Sequence, residues 1–91
     1  MCKLENLFKI EILSMTNLLG YIAGTDTTEW YVNLPSHIKK DKVISVTNIN
    51  QASWFEYCNL DIDSNCIRVG SKGNASNVPV KNIKVLVAYF T

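Results

Sequence analysis

The sequence predicts an all-β fold, a small antiparallel β-sandwich of jelly-roll or lectin-like kind. Three observations lead there. Short runs alternate apolar and polar residues with period two. Turn-forming residues interrupt those runs at intervals of about eight to twelve positions. No convincing long helix is visible anywhere in the chain.

Taken in order, "LFKIEIL" sets Phe8, Ile10 and Ile12 against Lys9 and Glu11, the signature of a half-buried strand. A helical reading through Leu4, Phe8, Ile12, Met15 and Leu19 competes with it. Residues 1–24 therefore stand as an N-terminal arm, a short helix or the first strands. "NLLGYIA" reads as a strand broken or kinked at Gly20, and "GTDTT" as a turn. In "EWYVNLP", Trp30, Val32 and Leu34 face one way and Glu29, Tyr31 and Asn33 the other, until Pro35 ends the strand. "SHIKKD" is a polar turn or a single helical turn, and "KVISVTNI" is a β-branched strand. "WFEYC" alternates with Phe55 and Tyr57 on one side and Trp54, Glu56 and Cys58 on the other. "CIRV" is a short strand, and "GSKGNASN" the longest soft loop.

The last strand, "IKVLVAYF", is apolar on both faces: Ile83, Val85, Val87 and Tyr89 on one, Leu86, Ala88 and Phe90 on the other. Such a strand belongs inside a sheet with neighbours on both edges. Trp30 and Phe55 are expected in the core, whereas Leu86, Ala88 and Phe90 are expected to be covered by another chain.

Ninety-one residues make one domain, spanning 1–91. A chain of this size buries only roughly 60% of its unfolded surface, so it is thinly stabilised alone. Its 47% apolar content implies a dense core or a subunit interface. A net charge of +1 and a single arginine, Arg68, argue against nucleic acid or an anionic membrane as partner. Lys3, Glu5, Lys9 and Glu11 interrupt the long apolar region near the start, so neither a membrane span nor a secretory signal is expected. Cys2, Cys58 and Cys66 read as free thiols from a reducing compartment, with a Cys58–Cys66 bridge across a tight turn as the alternative.

Chemistry-bearing constellations are sparse. His37 is the only histidine and reads as a solvated turn residue. With three scattered cysteines it offers neither a nucleophile–base pair nor metal-ligand spacing, so no enzyme, metal or cofactor is expected. "DIDSNC" begins like an EF-hand loop, but Cys66 replaces the sixth-position Gly and Lys72 the final Glu. A turn capped by Asp and Asn side chains explains the same residues. "GSKGN" lacks the spacing of a phosphate-binding loop, and "NAS" (Asn74–Ser76) matches a glycosylation acceptor with no secretory signal beside it. Aromatic residues remain, with Tyr31, Trp54 and Tyr57 as candidates for a contact surface. A shallow ligand site is expected from Trp54, Tyr57, Asp61, Asp63 and Arg68.

Residues 29–91 resemble the C-terminal tip domains of phage tail fibres and receptor-binding proteins. The features that carry the resemblance are a strand ending at "LP", a loop, the strand "VISVT", a Trp-led strand, a short "IRV" strand, a Gly/Asn loop and the closing "VLVAYF". The resemblance implies a non-enzymatic homotrimer, made in the host cytoplasm and carried in the virion, that contacts host-surface saccharide or protein. Such tips follow a fibre shaft, whereas about two dozen residues, opening with Met1, precede the tip-like part here. A structural virion component, a capsid decoration or tail accessory protein held by other virion proteins, is the rival expectation.

Overall fold

A computed structural model describes residues 8–50 and 55–91. Among the described residues seven strands form two antiparallel sheets: β1 (Phe8–Ser14), β2 (Asn17–Ile22), β3 (Thr27–Asn33), β4 (Val43–Asn48), β5 (Phe55–Asp61), β6 (Cys66–Lys72) and β7 (Lys84–Phe90). Sheet A has the order β1-β7-β4 and sheet B the order β2-β3-β6-β5. The fold is the small β-sandwich that the alternating pattern predicts. Phe8–Ser14 and Asn17–Ile22 are strands of it, so the helical reading fails from Phe8 onward. The expectations for residues 1–7 and for Trp54 lie outside the described residues.

At Met15 and Thr16 the chain leaves one sheet for the other. The Met15 amide donates to Ile83 O (2.8 Å) and the Thr16 amide to Tyr31 O (3.3 Å). Met15 itself is buried at this crossing. It joins Trp30, Val32, Leu34, Ile38, Ile67, Val69, Ile83, Val85, Val87 and Tyr89 in one core between the sheets. β7 is central in sheet A, as its two apolar faces require.

Three bulges interrupt the strict alternation. One lies between Leu18 and Gly20, where Gly20 takes a φ of 122° that a side chain would oppose. The second lies between Val43 and Ser45. The third, between Phe55 and Tyr57, reverses an expectation. Phe55 pairs with buried Ser71 and packs on the core, whereas Tyr57 pairs with Gly70 and lies on the outer face. The two were expected on one side; the extra residue at Glu56 turns them apart.

β6 runs to Lys72, so "GSK" is strand and the soft loop begins at Gly73. That loop is pinned from beneath. The buried Thr28 hydroxyl donates to Gly73 O (2.7 Å) and accepts from the Ala75 amide (2.8 Å). Cys58 and Cys66 are both free thiols. Cys58 pairs with Val69 and Cys66 with Asp61, which sets their side chains on opposite faces of sheet B. The bridged alternative has no geometry to form. Burial pushes the Cys58 thiol up to about 11.

Candidate binding face

The outer face of sheet B is built from alternate residues of its four strands. Register places Asn17 of β2 beside Tyr31 of β3, Tyr31 beside Arg68 of β6, and Arg68 beside Asn59 of β5. In the next row Glu29 and Tyr57 flank Gly70. Because Gly70 has no side chain, the Tyr57 ring lies across β6, and its hydroxyl donates to Glu29 Oε2 on β3.

Arg68 is held from three sides. Its Nη1 donates to Glu29 Oε1 (2.6 Å), its Nε to Asp61 Oδ2 (3.0 Å) and its Nη2 to Ser64 Oγ (3.5 Å). The guanidinium carbon also stands 5.8 Å from the Tyr31 ring centroid, a cation–π contact. Asp61 is at once a hairpin cap. Its Oδ1 accepts from the Asp63 and Ser64 amides (3.1 and 3.3 Å), while the Ser64 hydroxyl donates to Oδ2. Asn65, at φ 55°, completes that turn.

The electrostatics follow from these contacts. Hydrogen bonds from Ser64 and then Arg68 pull the Asp61 carboxyl down to about 2. Burial and the hydrogen bond to Glu29 hold the Tyr57 phenol well above its usual range, so it stays a neutral donor. Glu29 and Asp61 hold the Arg68 guanidinium firmly charged. Two carboxylates against one cation leave this centre with one net negative charge.

Of the residues expected to form a ligand site, Tyr57, Asp61 and Arg68 come together. Asp63 is an exposed turn residue that contributes its backbone amide. The sequence reading missed Glu29, Ser64, Asn17 and Asn59 as site residues. The alternation on β3 marked Glu29 and Tyr31 as outward-facing, but only the β3–β6 register brings them to Arg68. Among the described residues no group of three His, Cys, Asp or Glu side chains is placed to hold a metal ion.

Sheet A turns a different surface outward. Phe8, Ile10 and Ile12 of β1 pair with Phe90, Ala88 and Leu86 of β7. Ile10, Ile12 and Phe90 are each more than half exposed, and the Phe8 and Phe90 rings meet edge to face with centroids 6.4 Å apart. The expected interface residues Leu86, Ala88 and Phe90 thus lie on one apolar face, of which Ala88 is covered within the chain. Behind the sheet, His37 Nε2 lies 2.8 Å from Glu11 Oε1, and the Tyr89 hydroxyl donates to the same oxygen (3.2 Å). His37 therefore has a partner as well as an exposed turn position, and its hydrogen bond helps lower the Glu11 carboxyl.

No family model matches this chain, and no curated protein or solved structure does. The reading of function rests on the two faces.

Proposed function

We propose that this protein is a non-enzymatic phage virion module of the tail-fibre-tip kind. It assembles as a homotrimer through sheet A and presents sheet B to a saccharide or protein of the host surface. The observation that carries the reading is the contrast between the two outer faces. One is a stripe of Phe8, Ile10, Ile12, Leu86 and Phe90 with no charge among them; the other is polar, aromatic and internally braced. The stripe runs the seven-residue length of β1 and β7, about 23 Å, and is bordered by Ser45 and Thr47 of β4 beside Ala88 and Leu86. A contiguous apolar surface of that kind marks an interaction site rather than ordinary surface. A second copy is its natural occupant, because an uncharged stripe meets itself without like-charge repulsion, and a closed ring satisfies every copy equally.

The rival, a structural virion component without a ligand, is favoured by a different observation. Arg68 gives three of its five N–H donors to Glu29, Asp61 and Ser64, as a purely structural network would.

Light scattering on the native protein tests the assembly. Three times the 10.3 kDa chain mass supports the trimer, and Ile10→Asp should then return monomers. A wild-type monomer would sink the assembly half of the proposal. Adsorption of the native protein to bacterial cells, with Arg68→Ala as the comparison, separates receptor binding from the structural rival.

A further inference from the structure

Resting on the receptor-binding reading, we infer that the cross-strand row Asn17–Tyr31–Arg68–Asn59 is the ligand platform and that it takes an uncharged oligosaccharide. The row follows from register alone: each member stands directly beside the next on four adjacent strands. Three inter-strand steps give it a length of about 14 Å, enough for several linked sugars rather than one.

The chemistry of the row fits hydroxyl-bearing rings. Asn59 offers two amide donors and a carbonyl acceptor, and Asn17, whose Nδ2 also donates to Thr16 Oγ1 (2.8 Å), keeps one donor and its carbonyl, a combination that neighbouring hydroxyls complement. Between them stands Tyr31, half-buried, with Arg68 against its ring. The guanidinium over the ring holds it in place, and an aromatic ring held in advance is suited to stack on sugar C–H groups. Asn59 is exposed at the far end.

Charge decides the class of sugar. Arg68 is the one cation of the row, and three of its five N–H donors are engaged by Glu29, Asp61 and Ser64. A phosphate or uronate laid on the row would approach Glu29 and Asp61, whose two negative charges outweigh the single guanidinium. A protein ligand is disfavoured for another reason. Protein interfaces are anchored by large side chains seated in pockets, whereas the large side chains in the middle of this face, Tyr31, Tyr57 and Arg68, are already engaged with one another and with Glu29 and Asp61. Of the exposed aliphatic residues around sheet B, Ile22 ends β2 and Ile62 lies in the turn after β5, while Leu18 and Leu19 follow Asn17 on the edge strand.

Titration calorimetry on the native assembly tests the inference, with neutral oligomers of glucose, mannose, galactose and N-acetylglucosamine against uronate- and phosphate-bearing glycans. At least one neutral oligomer should bind, and Tyr31→Ala should weaken it about tenfold, the loss of a ~1.4 kcal/mol contact. Asn59→Ala should weaken it while leaving the circular dichroism spectrum unchanged, and Tyr31→Phe should retain most of the affinity. Binding confined to acidic glycans overturns the inference, as does neutral binding indifferent to Tyr31 and Asn59, or silence across the whole panel at millimolar concentration. Adsorption to cells distinguishes the two levels. An assembly that adsorbs to bacteria yet ignores every glycan loses the saccharide and keeps the receptor; one that does neither loses both.

Discussion

The Tyr57 ring fills the space above Gly70: a Cβ placed on Gly70 would stand 2.2 Å from Cε2 and Cζ of Tyr57. The glycine is needed for this close approach, because no residue with a side chain leaves room for the ring. Gly70→Ala must therefore displace Tyr57 and its bond to Glu29, at a cost of about 1–3 kcal/mol. For a domain of this size each kcal/mol lowers the melting temperature by roughly 4–8 °C. Adding Tyr57→Ser removes the clash and should recover part of the loss. An unchanged melting temperature in Gly70→Ala would mean the ring is not packed on this strand.

Arg68 and Glu29 should behave as a coupled pair. The Glu29 side chain is 13% exposed and the Arg68 side chain 29%, so each is partly shielded from water and leans on the other. Arg68→Met keeps the alkyl stem but leaves the Glu29 carboxylate with the Tyr57 hydroxyl and no cation, which predicts a loss of about 1–3 kcal/mol by urea denaturation. Glu29→Gln in the Arg68→Met background should cost less than it does alone. Strict additivity in this double-mutant cycle would show that the pair carries no interaction energy.

The alternation of "EWYVNLP" shows why much of the sandwich was legible. Trp30, Val32 and Leu34 are buried where period two puts them, and "IKVLVAYF" lies in the middle of its sheet. Local pattern sets which way a side chain points. It does not set which strand lies alongside, and the candidate site depends on that. Glu29 meets Arg68 across 39 residues of sequence, through a β3–β6 pairing that no short-range signal encodes. The bulge at Glu56 escaped for a related reason: one extra residue reverses every later side chain, and "WFEYC" reads as smooth alternation with or without it.

Asp61 predicts an acid limb of stability. Its folded-state carboxyl is held at about 2, against an unfolded value near 3.9. Between those values the unfolded chain binds the proton and the folded chain does not, so stability falls as pH falls. The Asp61 contribution is complete above the unfolded value and fades as pH drops through the folded one. Unfolding curves of wild type and Asp61→Asn should differ by a constant amount from neutral pH to about 5, then converge toward about 2. A difference that persisted undiminished at the acid end would mean the carboxylate is not what Ser64 and Arg68 hold.

Thr28 makes the sharpest test of how the Gly73–Val80 segment is held. Its hydroxyl is buried, donating to Gly73 O and accepting from the Ala75 amide, and it ties a loop to a strand 45 residues earlier. Thr28→Val keeps the shape of the side chain but removes both bonds, leaving a carbonyl and an amide to find other partners. An unpaired buried group costs about 1–3 kcal/mol, so the variant should lose about 2 kcal/mol or more overall. The loss should also be local. Ala75, Val78 and Val80 pack on the core from this loop, and releasing the anchor should speed amide exchange there before it does so in β7. Thr28→Ser retains the hydroxyl and should restore slow exchange at Ala75, although it loses the methyl group. If Thr28→Val kept wild-type stability and only Thr28→Ser lost it, the methyl packing would be the anchor and the two hydrogen bonds incidental.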